Sequence, residues 1–92
     1  MNKYLVEFLG TMFIIFVVFT TRNWIAISFA TAITIFLGEE LSNGKGAYNP
    51  LIAFSLHVTN RLSNYELILY IIVEIMGALA AFYAYKNLVN NY

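Results

Sequence analysis

The chain has 92 residues, of which 61% are hydrophobic and 11% charged, against roughly 25% charged in ordinary soluble domains. Short chains bury only about 60% of the surface they expose when unfolded, so a soluble core cannot hide this much apolar side chain and a lipid bilayer is the natural solvent. Five Lys or Arg balance five acidic residues, leaving no basic footprint for nucleic acid; cysteine is absent, which excludes disulfides, thiolate metal sites and cysteine nucleophiles, and the single His57 cannot build a metal site alone.

Residues 4–21 form the first apolar run, with Glu7 as its one charge. As a helix it measures about 27 Å, close to the roughly 30 Å of a hydrocarbon core. Lys3 ahead of it gives the look of a secretory signal, and Ala30-Thr31-Ala32 has the spacing of a cleavage site. That triplet lies inside a second apolar run, so the first run is read as a retained helix. Thr21-Arg22-Asn23 is the only polar break before Trp24 opens the second run, residues 24–41. Two helices so joined form an antiparallel hairpin, with Trp24 as an interfacial anchor. Ser28, Thr31, Thr34 and Gly38 place small or polar groups on one stripe of the second helix. A pore lining and close packing by small residues both fit that stripe.

Residues 42–47 read Ser-Asn-Gly-Lys-Gly-Ala, a cluster of turn formers that ends the second helix. Asn49-Pro50 then starts another helix abruptly: Asn is a preferred N-cap, and Pro suits the first helical position, where its missing N–H costs nothing. The apolar segment that follows, to residue 58, covers about 15 Å and reaches only half-way across. Inside a bilayer, non-helical backbone survives where it is buried in protein or lines a water-filled cavity. A re-entrant half-helix therefore points to a pore or a site, with positive dipole character at its N-terminus that repels cations; a turn that merely starts an interfacial helix is the plain alternative. His57, at the outer end of this segment, is an ordinary interfacial residue or a pH sensor.

Residues 59–64 make a second polar break, where Ser63 and Glu66 have the spacing of a capping box. A third span, residues 65–88, is long enough to cross with some tilt, and its polar end, Lys86, Asn87, Asn90 and Asn91, is expected to fray. Glu74 sits mid-helix, too deep to reach water, and should face protein or pore. Gly10 and Gly77, with Ala78, Ala80 and Ala81, allow helices to approach closely. The whole, residues 1–92, is expected to be one domain: an all-α membrane protein of three transmembrane helices plus one re-entrant half-helix.

Three segments in order resemble the N-terminal half of the major intrinsic protein family, the aquaporins and aquaglyceroporins. Val6-Glu7-Phe8-Leu9-Gly10-Thr11 resembles its first-helix signature. Gly46-Ala47-Tyr48-Asn49-Pro50-Leu51 resembles its Ser-Gly-Ala-His-x-Asn-Pro-Ala loop, and Glu74-Ile75-Met76-Gly77-Ala78 resembles its third-helix Gln-Leu-Leu-Gly-Ala. The resemblance implies that Asn49 offers its amide to solute at the pore centre, that Pro50 starts the half-helix behind it, and that Glu7 is buried and accepts hydrogen bonds from loop N–H groups. It also implies that Phe29, twenty residues before Asn49, is the aromatic of the selectivity constriction. Leu51 stands where the family has a small Ala, and Glu74 where it usually has Gln. Members of the family carry two inverted halves in one chain, whereas one half is present here.

These readings lead to a passive channel subunit for water and small neutral solutes, completed in the lipid bilayer as an inverted homo-oligomer or with a complementary half-channel. With the family's topology Lys3, Lys45 and Arg61 face one side and Arg22 and Lys86 the other, a bias too small to fix orientation. Two alternatives stay open: a dual-topology proton-coupled small transporter using Glu7 or Glu74, and a non-conducting truncated channel that binds a full-length partner. No enzyme and no cofactor is expected.

Overall fold

A computed structural model describes residues 2–90, apart from the side chain of Asn90; the expectation for Asn91 lies outside the described residues. The first helix, α1 (Lys3–Thr21), starts where the Asn2 side chain accepts hydrogen bonds from the N–H groups of Tyr4 (2.8 Å) and Leu5 (3.3 Å). It stops at Arg22, which turns left-handed with φ 52°. Asn23 then caps α2 (Trp24–Ser42) through Ile25 and Ala26, so a two-residue turn reverses the chain into a hairpin. At the other end Asn43 and Gly44 both adopt positive φ and leave the helix.

After the loop comes α3 (Pro50–Val58), a helix of 9 residues and about 14 Å. It ends in a tight turn in which Arg61 and Leu62 N–H groups both donate to Leu56 O. Nδ1 of His57 donates to Leu62 O (2.9 Å) across the same turn, a structural use of the lone histidine. The capping box is present in full: Ser63 Oγ accepts from Glu66 N–H (3.2 Å), and Glu66 accepts from Ser63 N–H (2.9 Å). It starts α4 (Asn64–Tyr85), which continues as a wider π-helical turn, Lys86–Asn90.

Helices α1 and α4 are parallel neighbours, as a series of pairings along their length requires. Lys3 meets Glu66 (3.1 Å), the rings of Tyr4 and Tyr70 meet edge to face at 5.7 Å, and Phe19 meets Phe82 at 6.2 Å. Gly77 sets their separation, since a Cβ there would lie 2.7 Å from Phe8 O and 3.1 Å from Thr11 Cβ. The second helix packs antiparallel to α1, and α3 folds back along α4. The core is small and sits where the loop and α3 meet α4: Ala47, Ala53, Leu62 and Tyr70.

Most large apolar side chains lie outside that core, among them Trp24, Phe36 and Leu51. Water would penalise such a surface, whereas lipid or another subunit would not. Three stretches, Lys3–Thr21, Trp24–Ser42 and Asn64–Val89, are long and apolar enough to cross a bilayer, and the long axis of the molecule, 42 Å, matches one with its interfaces, about 40–45 Å.

Candidate functional site

The loop between α2 and α3 carries the pattern singled out in the sequence, and three hydrogen bonds from two buried side chains hold it. Glu7 is fully buried, and its two carboxylate oxygens accept from the backbone N–H groups of Ala47 and Tyr48, each at 2.7 Å. Tyr70, also fully buried, donates its hydroxyl to Lys45 O at 2.8 Å. These bonds satisfy loop backbone that lipid could not. Charge-assisted acceptance is the stronger kind, which suits one carboxylate to fixing two consecutive amides.

Past the clamp, Asn49 takes an extended conformation and its Oδ1 accepts from Leu51 N–H at 2.8 Å, with Pro50 at the first helical position. The capping oxygen is thus occupied, and the Nδ2 amide is the group Asn49 offers outward. Asn49 and Pro50 are exposed, and Leu51 is 77% exposed. Glu7 lies beside Glu74, ten residues or about 15 Å along α4 from its start.

Tyr48 is the part of the site that the sequence did not reveal. It holds φ 62°, unusual for a bulky residue, and its ring is buried in a slot lined by Gly10, Gly38 and Gly46. A Cβ on Gly38 would collide with the Tyr48 hydroxyl, and one on Gly10 with the ring and with Thr34 Cγ2. Gly10, expected to serve helix packing, therefore makes room for a loop side chain. The Tyr48 hydroxyl is buried without a partner. Burial, then the charges of Glu7 and Glu39, push its pKa up to about 12.

The expected stripe on α2 divides. Its buried edge runs Ala30, Thr34, Gly38, Ser42, while Ser28 is exposed and Thr31 half-buried. Thr31 and Thr34 donate their hydroxyls to carbonyls of their own helix, Ile27 O (2.8 Å) and Ala30 O (2.7 Å). Phe29 is exposed and lies nine residues, about 13 Å, along α2 from the Gly38 that touches Tyr48; this chain does not bring it to Asn49. An apolar groove of about 310 Å³ runs between α1 and α2, walled by Leu9, Phe13, Ile33 and Leu37 and closed by Tyr48. Glu74 is 2% exposed and faces Glu7, with no hydrogen-bond partner on either oxygen among the described residues.

The chain is 33% identical over 97 residues to the glycerol uptake facilitator protein-like 6 of Lactiplantibacillus plantarum. That alignment covers 98% of this chain and 45% of the relative, so the chain spans a little under half the length of the curated protein it matches. No family model matches the chain, and no solved structure does. With three membrane-crossing helices and this relative, it is an integral, multi-pass membrane protein.

Proposed function

Because the chain is homologous to one half of a major intrinsic protein, we propose that it is a passive channel subunit for water and small neutral solutes, completed by a second, inverted copy. The observation that carries this reading is the half-helix N-terminus fixed from within the chain: Glu7 grips Ala47 and Tyr48, and the next residue, Asn49, caps α3. A passing solute would accept from the Asn49 amide. The positive end of α3 would then turn cations away. The name of the relative, a glycerol uptake facilitator, supports reading glycerol-sized polyols as permeants beside water. No chemistry is catalysed.

Pairing supplies what one copy lacks. The α3 helix is backed by α4 but leaves Leu51, Phe54 and Val58 bare, and Asn49 and Pro50 lie exposed. An inverted copy would cover that face and bring a second Asn49 to the first, as inverted repeats do within one chain. The weak charge bias between the two sides permits insertion in both orientations. Stopped-flow shrinkage of proteoliposomes tests the reading. Permeability should exceed that of empty vesicles and fall in Asn49→Asp; folded, oppositely inserted protein that adds nothing would refute it.

The unpartnered carboxyl of Glu74 also favours a second reading, a proton-coupled transporter. That reading predicts uptake driven by a pH gradient and abolished in Glu74→Gln, whereas the passive channel needs no gradient.

A further inference from the structure

The parallel pairing of α1 and α4 sets two copies of one pattern side by side: Glu7 with Gly10 three residues on, and Glu74 with Gly77 three residues on. The glycines and the close approach at Gly77 bring the two acids into one buried layer. Glu7 spends both oxygens on Ala47 and Tyr48, while neither oxygen of Glu74 has a partner. Thr11, one turn beyond Glu7 and 4% exposed, adds a third orphan, its hydroxyl. A buried polar atom left unpaired costs about 1–3 kcal/mol, and an unpaired charge costs more. Three such atoms in one layer point to something held there.

No basic group among the described residues fills the role. Lys3 and Lys45 both pair with Glu66, eight residues or about 12 Å along α4 from Glu74. On α3, His57 is held by Leu62 O. The remaining titratable groups nearby are Glu39 on α2, whose charge reaches Tyr48, and three phenols: Tyr4 on α1, Tyr48 in the loop, and Tyr70 on α4, whose hydroxyl already donates to Lys45 O. Two carboxylates facing each other in one buried layer repel, and a proton on one of them relieves the repulsion.

We propose that Glu7 and Glu74 form a buried binding site for one proton, carried on Glu74 and donated to the Glu7 carboxylate. The bound proton converts repulsion into a hydrogen bond and leaves the second Glu74 oxygen free to accept from Thr11. Because Glu7 is also the clamp on the loop, the proton becomes a structural ligand of the segment that carries Asn49. Gln at position 74 mimics the loaded state, since its amide donates to Glu7 without a titrating proton.

Infrared spectroscopy of the purified wild-type protein tests this and requires no conduction, so failure of the channel reading leaves it standing. At neutral pH the spectrum should contain the carbonyl stretch of one un-ionised carboxylic acid, shifted in D2O and lost in Glu74→Gln. Raising the pH should remove that band and expose the Ala47 and Tyr48 amides to exchange in the wild type but not in Glu74→Gln. Should Glu74→Gln fail to fold, Thr11→Val serves instead, because loss of its hydroxyl should shift the same band. Absence of the acid band from folded wild-type protein at neutral pH overturns the proposal. Stability that depends on Na+ without such a band overturns it too, in favour of a metal cation.

Discussion

Glu7→Gln isolates the contribution of the loop clamp. The wild-type carboxylate accepts from two consecutive amides at 2.7 Å each, fully buried. A glutamine offers one oxygen and turns an NH2 toward the other N–H, so one bond is lost and two donors are set face to face. Leaving one buried donor unsatisfied costs about 1–3 kcal/mol, and losing the charge assistance on the surviving bond adds about 1 kcal/mol. The closed loop should therefore weaken by roughly 3 kcal/mol, about a hundredfold in its closing equilibrium. The assay is amide hydrogen exchange in lipid nanodiscs, where opening of a local unit is read residue by residue. Ala47 and Tyr48 should exchange about a hundredfold faster, while the α1 and α4 amides away from the site hold their protection. Unchanged protection of those two amides in a folded Glu7→Gln protein would refute the clamp.

The glycine slot makes a reciprocal prediction. Gly38→Ala places a methyl on the Tyr48 hydroxyl and should cost about 1–3 kcal/mol in thermal unfolding; adding Tyr48→Phe should restore only part of it, since the ring Cζ would still lie 2.6 Å from the methyl, and Tyr48→Phe alone should stabilise by about 1 kcal/mol because the buried hydroxyl has no partner among the described residues. Gly77→Leu drives a side chain into the backbone of α1 at Phe8 and Met12, so it should separate α1 from α4. Its signature is loss of protection around Glu7 together with a fall of about 3 kcal/mol in stability, and an unaltered melting curve would contradict it.

Much of this architecture is legible in the residues because bilayers impose few solutions. Run length marked the spans, the Ser63–Glu66 spacing marked the start of α4, and Asn49-Pro50 marked the start of α3, since each of these signals is local. The span to residue 88 agrees with the apolar helical stretch Asn64–Val89, although α-helical geometry gives way after Tyr85 to a π-helical turn, a change that run length does not report. The buried edge of α2 keeps Thr34 and Gly38 of the expected stripe and adds Ala30 and Ser42, for a physical reason. In a bilayer both sides of a helix are apolar, so Ser28-Thr31-Thr34-Gly38 and Ala30-Thr34-Gly38-Ser42 are equally periodic, and only contact with α1 and Tyr48 selects the second. The roles of Tyr48, Tyr70 and Thr11 are tertiary, so no local pattern announces them. The one sequence trace of them is spacing: Tyr70 lies four residues before Glu74, and Thr11 four after Glu7.

What positions Asn49 and what would enclose it come from different places, and that separation has a consequence for assembly. The clamps on the loop, Glu7 and Tyr70, and the slot for Tyr48 all lie within one copy. The open side of α3, by contrast, presents Leu51, Phe54 and Val58 with nothing over them. On the proposed function, a solute station built within each copy would need no partner to take shape, so association would have only to cover apolar helix faces and would not remodel the loop. Packing of that kind relies on side-chain fit more than on charge. Disruption at Leu51 or Phe54 should therefore abolish pairing and conduction while loop protection at Ala47 and Tyr48 persists, the converse of Glu7→Gln, where the loop opens and the α3 face stays as it was.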